Sequence, residues 1–367
     1  MRNEPGLEPQ LPNIAHTKAR LTRRNLLVGA SGLIFAPTLF AQQNTATIAV
    51  RKLHSFGLRV TDLQRSLEFY QGLFGSAVID RKINEITLRI GTGPYYFKLT
   101  EATANESPSI TYIGISVIDL DLRLIQSVLS SRGVIPGQSP GSSGGNLNNR
   151  LRSWTINREL AGNRGEATRD LFFADPDGIV YQLVHTSDCG GGGQFGEQCA
   201  QPEPSPVPGL FELTELSHFT NRVHNRDLSN EFHTSLFGLQ FQAYQGPSAP
   251  VIGVGDRVQF LMYTGGNEAG PPAQAGRIDH VCLGMENFVV DEARSRLDSF
   301  GLTPRESPDV TPPMAHWVSM RMPNRGGADG GTPELYFSDP DGIRVQLQDP
   351  SYCGGTGYLG DDCSATV

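Results

Sequence analysis

The chain lacks any excess of positive charge, and it lacks an apolar run long enough to cross a membrane. Its formal net charge is −8 over 367 residues, and no basic stripe interrupts that balance. Proteins that bind nucleic acid neutralise phosphates with lysine and arginine, so this composition excludes nucleic acid as the partner. The apolar run ending at Phe40 is short and rich in glycine, serine and proline, which disfavours a membrane anchor.

Glycine (42 residues) and proline (25 residues) are above average usage. That composition favours a loop-rich fold containing β-strands over a helical bundle. The length suggests two domains, each large enough to have its own core.

Residues 1–41 resemble a twin-arginine export signal. Arg23 and Arg24 precede the apolar run, and Ala41 follows it as part of a small-residue cleavage site. We therefore expect a mature protein that is periplasmic or secreted and free of the membrane after cleavage. The twin-arginine route carries folded proteins, often with a cofactor already bound.

Four of the five cysteines form two evenly spaced pairs. Cys189 and Cys199 bracket a glycine-rich loop, as do Cys353 and Cys363, at an offset of 164 residues. In an exported protein the simplest interpretation is two local disulfides, Cys189–Cys199 and Cys353–Cys363. A metal site built from these cysteines is the less favoured alternative. Cys282 lies in an apolar run and is predicted to be a buried free thiol.

One stretch occurs twice at the same offset. Leu171–Leu183 and Leu335–Leu347 each contain an Asp-Pro-Asp-Gly tetrad between two apolar runs. Proline presets one turn dihedral and glycine accepts a positive φ, so each copy predicts strand, tight turn and strand. The fixed register directs Gln182 and Gln346 inward.

Each half of the chain contains two modules of one pattern, a strand followed by a helix and three strands. The helices are predicted to begin at capping residues Asp62 and Asp119 in the first half, and to end at glycines. A Gly/Ser/Asn-rich stretch, Gly137–Asn149, is predicted to be a loop. The proline-rich stretch within 201–212 divides a first domain (50–200) from a second (213–367).

The opening strands, the Phe69-Tyr70 pair before Leu73-Phe74-Gly75, and the repeated turn resemble the vicinal oxygen chelate superfamily. That superfamily includes glyoxalases, bleomycin-resistance proteins and extradiol dioxygenases. The resemblance implies an α+β fold in which four βαβββ modules pair into two cupped mixed sheets.

The resemblance also implies a metal site in the second half. The family's opening-strand ligand lies five residues before the strand's final valine, which gives His218 from Val223 and His280 from Met285. The ligand after the turn lies four residues beyond the turn glycine, which gives Gln346. These three residues would hold Fe(II), Mn(II), Zn(II) or Ni(II). In the third module, the position equivalent to this ligand after the turn falls near Phe260, which cannot bind metal.

The first half is predicted to lack metal. The same counting gives Ser55, Tyr112 and Gln182, with His54 one residue out of phase unless a β-bulge restores it. Extradiol dioxygenases have such an arrangement, in which the C-terminal pair is active and the N-terminal pair is silent.

Two further residues are candidates for catalysis. Tyr336 lies ten residues before Gln346, where the resemblance places a tyrosine that assists the substrate, although an aromatic residue also packs well there. His316 is a candidate acid/base, or alternatively a structural histidine. His185, His224 and His233 follow no pattern and are predicted to lie at the surface.

Two functions remain open from the sequence. The first is a metal-dependent dioxygenase or lyase acting on a small oxygen-chelating substrate. The second is a non-enzymatic protein that sequesters a small molecule, as bleomycin-resistance proteins do. Glutamine in place of the expected carboxylate at both Gln182 and Gln346 favours the second.

Overall fold

Two nine-stranded mixed sheets form the framework, and they follow one another along the chain. The computed structural model describes residues 46–138, 147–158, 167–247, 249–256 and 258–364. The first half contains β1 (Val50–Val60), α1 (Leu63–Phe74), β2 (Val78–Arg81), β3 (Glu85–Arg89), β4 (Tyr96–Glu101), β5 (Ser109–Val117), α2 (Leu122–Ser131), β6 (Ile135–Pro136), β7 (Arg152–Asn157), β8 (Arg169–Ala174) and β9 (Val180–His185). The second half contains β10 (Leu213–Val223), α3 (Arg226–Phe237), β11 (Phe241–Tyr244), β12 (Pro250–Val254), β13 (Gln259–Gly265), β14 (Arg277–Met285), α4 (Val290–Phe300), β15 (Thr303–Pro304), β16 (Ala315–Arg321), β17 (Thr332–Ser338) and β18 (Arg344–Gln348).

The strand order is the same in both sheets. It is β2-β3-β4-β1-β5-β9-β8-β7-β6 in the first and β11-β12-β13-β10-β14-β18-β17-β16-β15 in the second. The opening strands of the two modules pair antiparallel at the centre of each sheet. This arrangement confirms the predicted α+β fold of four modules in two paired sheets. Among the described residues, no helix is both long and apolar enough to span a bilayer.

Helix boundaries follow local capping chemistry. Asp62 accepts a hydrogen bond from the backbone N–H of Arg65, and Gly75 ends α1 at φ 61°, as predicted. The predicted cap at Asp119 is wrong. Asp121 caps α2 instead, because it directly precedes the helix and its carboxylate reaches two free N–H groups.

Two predicted segments fall largely outside the description. The export signal at 1–41 lies wholly outside the described residues. Within the predicted loop Gly137–Asn149, residues 139–146 lie outside them, while Leu147–Asn149 form a single 3-10 turn.

The buried apolar residues of both halves form one continuous cluster. Phe69 of α1 packs against Phe337 of β17, with ring centroids 6.1 Å apart, and Phe237 of α3 packs against Phe173 of β8 at 6.3 Å. The first helix of each half therefore packs on its own sheet and also contacts a strand of the other half. The two halves share a core because these helices contribute apolar side chains to both.

The repeated Asp-Pro-Asp-Gly turn depends on its first aspartate. Asp339 Oδ1 accepts hydrogen bonds from the backbone N–H groups of Asp341 and Ile343, at 2.9 and 2.8 Å. Asp175 does the same in the first half, and the turn glycines adopt φ values of 84° (Gly178) and 79° (Gly342). The side chain thus satisfies two donors that would otherwise be buried without partners.

The second aspartate of each turn reaches into the opposite half. Asp177 accepts from the backbone N–H of His224 at 2.7 Å and from the hydroxyl of Ser229 at 2.9 Å, at the start of α3. Asp341 accepts from the backbone N–H of Thr61 at 2.9 Å and pairs with Arg65, at the start of α1. Each turn consequently binds the helix N-terminus of the other half, where a carboxylate is favoured.

Matching residues of the two helices face the first aspartates. The Tyr70 hydroxyl of α1 donates to Asp339 Oδ2 at 3.0 Å. In α3 the equivalent contact places His233 Nε2 3.8 Å from Asp175 Oδ2. The prediction that His233 lies at the surface is wrong: its side chain is fully buried between the halves.

The buried turn carboxyl should make stability depend on pH. Burial raises the pKa of Asp339 to about 6. Because this folded-state pKa exceeds the unfolded value, the protonated carboxyl stabilises the fold at low pH, and that contribution is lost as pH rises through about 6. Between pH 4 and 7, the free energy of unfolding should fall less in Asp339→Asn than in the wild type. The difference between the two falls should be up to about 3 kcal/mol.

Urea denaturation across that pH range measures the difference. Asparagine keeps an oxygen for the two backbone N–H groups, whereas Asp339→Ala loses it and should be destabilised at every pH. The same pH slope in wild type and Asp339→Asn would contradict the assignment.

Candidate functional site

One residue from each of six adjacent strands forms a row across the second sheet. We call it the C-terminal row, and its members in spatial order are Phe260, His218, Cys282, Gln346, Tyr336 and Trp317. His280 precedes Cys282 by two residues on β14 and therefore lies on the same face. The structure thus brings four predicted site residues together: His218, His280, Gln346 and Tyr336.

His218 is held rigidly at the centre of this row. Its ring stacks on Phe260 at 4.2 Å with an interplanar angle of 9°, and Nδ1 lies 3.2 Å from the Ser217 hydroxyl. Burial and the neighbouring His280, whose ring centroid is 5.6 Å away, lower the pKa of His218 well below its usual range. The imidazole is therefore neutral, which is the form that binds metal.

His280 is oriented by a carboxylate. Its Nδ1 lies 3.0 Å from Asp279 Oδ2, and Asp279 also pairs with Arg222 and Arg344 at 2.7 Å each. Although burial raises the pKa of Asp279, hydrogen bonding and charge interaction with His280 and the arginines lower it overall. The ionised carboxylate accepts a hydrogen bond from Nδ1–H, so Nε2 is the ring atom that could face a metal. That atom is buried and without a partner among the described residues.

Gln346 supplies the third donor. Its side chain is fully buried and lies close to His218, and neither amide atom makes a hydrogen bond of ordinary geometry within the described part of the chain. Unpaired buried amide atoms are costly, which favours a ligand that would satisfy them. The described residues contain no cluster of three or more histidine, cysteine or acidic side chains suited to a metal ion. A metal here would therefore need Gln346 beside the two imidazoles.

Glu334, a second carboxylate beside the row, is committed to other partners. Glu334 pairs with Arg321 at 2.8 Å and accepts from the hydroxyls of Tyr352 at 2.9 Å and Tyr336 at 3.2 Å. Arg321 also donates to the carbonyl of Gly355, inside the second disulfide loop. The pair consequently anchors that loop beside the site, with the Tyr352 ring 5.5 Å from His218.

His316 does not join the cluster. It pairs in register with Phe337, on the helix-covered face of β16, and its Nε2 lies 2.7 Å from Asp298 of α4. Its neighbour Trp317 faces the row instead and stacks on Tyr336 at 5.4 Å. The strict alternation of a strand explains the outcome, because adjacent residues point to opposite faces.

Two features of the site were missed from the sequence. Cys282 is free and buried as predicted, but its position between His218 and Gln346 was not foreseen. The alternation His280-x-Cys282 in a strand was an available signal. The Arg321–Glu334 pair carried no local signal, since its members are 13 residues apart and meet only when β16 pairs with β17.

Both predicted disulfides are present, Cys189–Cys199 and Cys353–Cys363. The first loop has the same anchor as the second. Arg158 pairs with Asp170 at 2.6 Å and donates to the carbonyl of Gly191. Because this anchor occurs in both halves, we regard it as a structural feature of the repeat.

The equivalent row of the first sheet has different chemistry. This N-terminal row consists, in spatial order, of Tyr96, Ser55, Gly114, Gln182, Phe172 and Trp154. Tyr112 lies two residues before Gly114, as His280 does before Cys282. His54 occupies a β-bulge, but it donates from Nε2 to the Asp188 carbonyl at 2.8 Å. The imidazole is therefore used to hold the disulfide loop.

Comparison with solved structures identifies the fold. The chain superposes on a catechol 2,3-dioxygenase with a TM-score of 0.53 at 17% identity, covering 84% of this chain and 88% of that one. The chain has the vicinal oxygen chelate fold. A 2,3-dioxygenase from Pseudomonas gives a TM-score of 0.52 at 16% identity, with coverages of 82% and 93%. Homoprotocatechuate 2,3-dioxygenase from Brevibacterium fuscum, in complex with 3,4-dihydroxyphenylacetate, gives 0.52 at 18%, with 83% of each chain covered. No protein-family model and no curated protein sequence matches.

Within this vicinal oxygen chelate fold, metal affinity should depend on the two row histidines. After chelation and dialysis, the wild type should bind one equivalent of Zn(II) or Mn(II) in a calorimetric titration. His218→Ala and His280→Ala should each weaken binding by at least about 100-fold, because each removes a ligand. His185→Ala is the matched control, since that half-exposed ring contacts Ser187 away from the row.

Gln346→Glu tests the third donor in the same titration. A carboxylate should tighten binding, because it adds a negative charge beside the cation. Equal and negligible metal binding by the wild type and both histidine variants would contradict the site. An unchanged affinity in Gln346→Glu would remove Gln346 from it.

Proposed function

We propose that the second sheet binds one divalent metal through His218, His280 and Gln346, and that the protein acts there on a small oxygen-chelating substrate. The observation that carries the proposal is the convergence of two imidazoles and the Gln346 amide on one buried face. A metal bound there would act as a Lewis acid and keep positions open for the substrate's oxygen atoms.

The lining of the row favours an aromatic substrate. Trp317 and Tyr336 are stacked with an interplanar angle of 8°, and Phe260 closes the opposite end of the row. Flat apolar walls of this kind suit a ring that stacks between them. A structure of the same fold holds 3,4-dihydroxyphenylacetate, whose adjacent hydroxyls chelate through two oxygens. Dioxygenase chemistry on a dihydroxylated ring is therefore the reaction we place first, ahead of a glyoxalase-like lyase reaction.

Tyr336 has the position and protonation state of a hydrogen-bond donor to such a substrate. Its ring packs edge-on to His280, with centroids 5.2 Å apart, and its hydroxyl reaches Glu334. Burial raises the pKa of Tyr336 well above its usual range, so the phenol keeps its proton. Arg321 pairs with Glu334, the carboxylate that orients the Tyr336 hydroxyl.

Oxygen uptake tests the enzymatic proposal. Protein loaded anaerobically with Fe(II) or Mn(II) should consume oxygen when 3,4-dihydroxyphenylacetate is added, with a matching change in the ultraviolet spectrum. Uptake should be lost in His218→Ala and retained in His185→Ala. Absence of uptake by fully metal-loaded wild type, with this compound and with catechol, would contradict the dioxygenase assignment.

The competing function is sequestration of a small molecule without turnover. The amide of Gln346 favours it, because a neutral donor holds a cation more weakly than carboxylate does. Calorimetry separates the two functions. A sequestering protein would bind catechol tightly after metal removal, would lose that binding in His218→Ala, and would leave oxygen unconsumed.

We also propose that the protein is exported through residues 1–41. Two disulfides in one chain support an oxidising compartment. Replacing Arg23 and Arg24 together by lysine should retain the precursor in the cytoplasm, as cell fractionation would measure. Arg20→Lys keeps the arginine pair and is the control. Unchanged export of the double variant would contradict the twin-arginine route.

A further inference from the structure

The N-terminal row offers polar groups that have no partner in the fold. Both amide atoms of Gln182 lack hydrogen-bond partners in the described parts of the chain, and the hydroxyls of Ser55 and Tyr112 face each other without a hydrogen bond of ordinary geometry. Ser55 and Gln182 are fully buried, and Tyr112 is 9% exposed. These three residues occupy the positions of His218, Gln346 and His280 in the other half.

We give the name N-terminal cup to the face of the first sheet that carries the N-terminal row and Tyr112. We propose that this cup is a second, metal-free site for a small uncharged aromatic molecule bearing a hydroxyl or carboxamide group. The site is distinct from the proposed metal site and does not depend on it. Hydroxyls and an amide both donate and accept hydrogen bonds, so together they match a ligand that carries a donor and an acceptor.

Two glycines make room for the polar side chains. Gly114 lies between Ser55 and Gln182 in the row, at the position that Cys282 occupies in the second half. A Cβ atom at Gly114 would lie 2.0 Å from Ser55 Oγ, and one at Gly57 would lie 2.5 Å from the Tyr112 ring. The missing side chains of these glycines therefore leave the space that the Ser55 hydroxyl and the Tyr112 ring occupy.

An aromatic wall adjoins these groups. Trp154 stacks on Phe172 with an interplanar angle of 9° and centroids 6.0 Å apart, and Tyr112 meets Phe172 edge-on at 5.8 Å. The same tryptophan-on-aromatic stack borders the candidate metal site in the second half. A planar ring with its polar substituent directed at Gln182 would satisfy both the wall and the unpaired atoms.

The charges nearby are paired with one another, which favours an uncharged ligand. Glu85 contacts Lys82 at 2.7 Å and Lys98 at 3.7 Å. Arg158 is held between Asp170 and Asp188, at 2.6 and 2.8 Å. A charged ligand would have to displace one of these pairs, at a cost that a neutral ligand avoids.

The chain contains two tryptophans, and one lies in each half, in the row of its sheet. Binding in each half can therefore be measured separately by tryptophan fluorescence. In Trp317→Phe the remaining fluorescence comes from Trp154. Titration with phenol or benzamide should change the Trp154 fluorescence until it saturates, with excitation at the red edge of tryptophan absorption. The change should be the same with and without a metal chelator. Benzoate should bind at least about 10-fold more weakly, because it carries a charge.

Substitutions of the polar groups complete the test. Gln182→Leu and Tyr112→Phe, each in the Trp317→Phe background, should weaken phenol and benzamide binding by about 10-fold. Gln182→Leu should unfold at the same or a higher temperature, because it removes unpaired buried atoms, so a folding defect cannot mimic the result. Gln64→Leu, on the exposed face of α1, is the matched control.

Two outcomes would overturn the proposal. One is the absence of a saturable signal from Trp154 with either probe. The other is an affinity that Gln182→Leu and Tyr112→Phe leave unchanged. His218→Ala should retain binding in the N-terminal cup, which separates this site from the metal site in the second half.

Discussion

The reciprocal contact between turns and helices is the constraint on which the arrangement of this protein depends. Asp177 binds the start of α3 in the second half, and Asp341 binds the start of α1 in the first. Each outgoing strand after the turn, β9 or β18, is therefore placed against both halves at once. Because Gln346 lies four residues beyond its turn glycine, the candidate site depends on docking between the halves.

The two cups share a framework and differ in the groups that they present. Anchors such as Arg158 and Arg321 recur, and so do the disulfide loops and the tryptophan stacks. The largest chemical differences lie on the central strands, where two hydroxyls and a glycine in the first half replace two imidazoles and a thiol in the second. Tyr96 and Phe172 also replace Phe260 and Tyr336. The framework is kept in both halves, while the side chains on its central strands change. The same architecture can thus hold a cation in one half and a neutral molecule in the other.

Electrostatics distinguishes the candidate metal site from one built on a carboxylate. Glu334 is paired with Arg321, and Asp279 orients His280, so both carboxylates that the structure describes beside the imidazoles are committed to other partners. The three candidate donors are two imidazoles and an amide. Such a set relies on geometry and on the exclusion of water for its affinity, because burial strengthens each dipole–cation contact.

The sequence alone determined the features that rest on local chemistry: the repeated turn, the helix caps at Asp62 and Gly75, the disulfide spacing, and the matched strand positions of His218 and His280. The module pattern followed from their order along the chain, and the fold class followed from the resemblance that these features carry. Only the tertiary structure decided that His316 faces α4, that His233 is buried between the halves, and that Cys282 lies between His218 and Gln346. Those outcomes depend on strand pairing and on helices crossing between halves. Such contacts join residues far apart in sequence, and no local pattern specifies them.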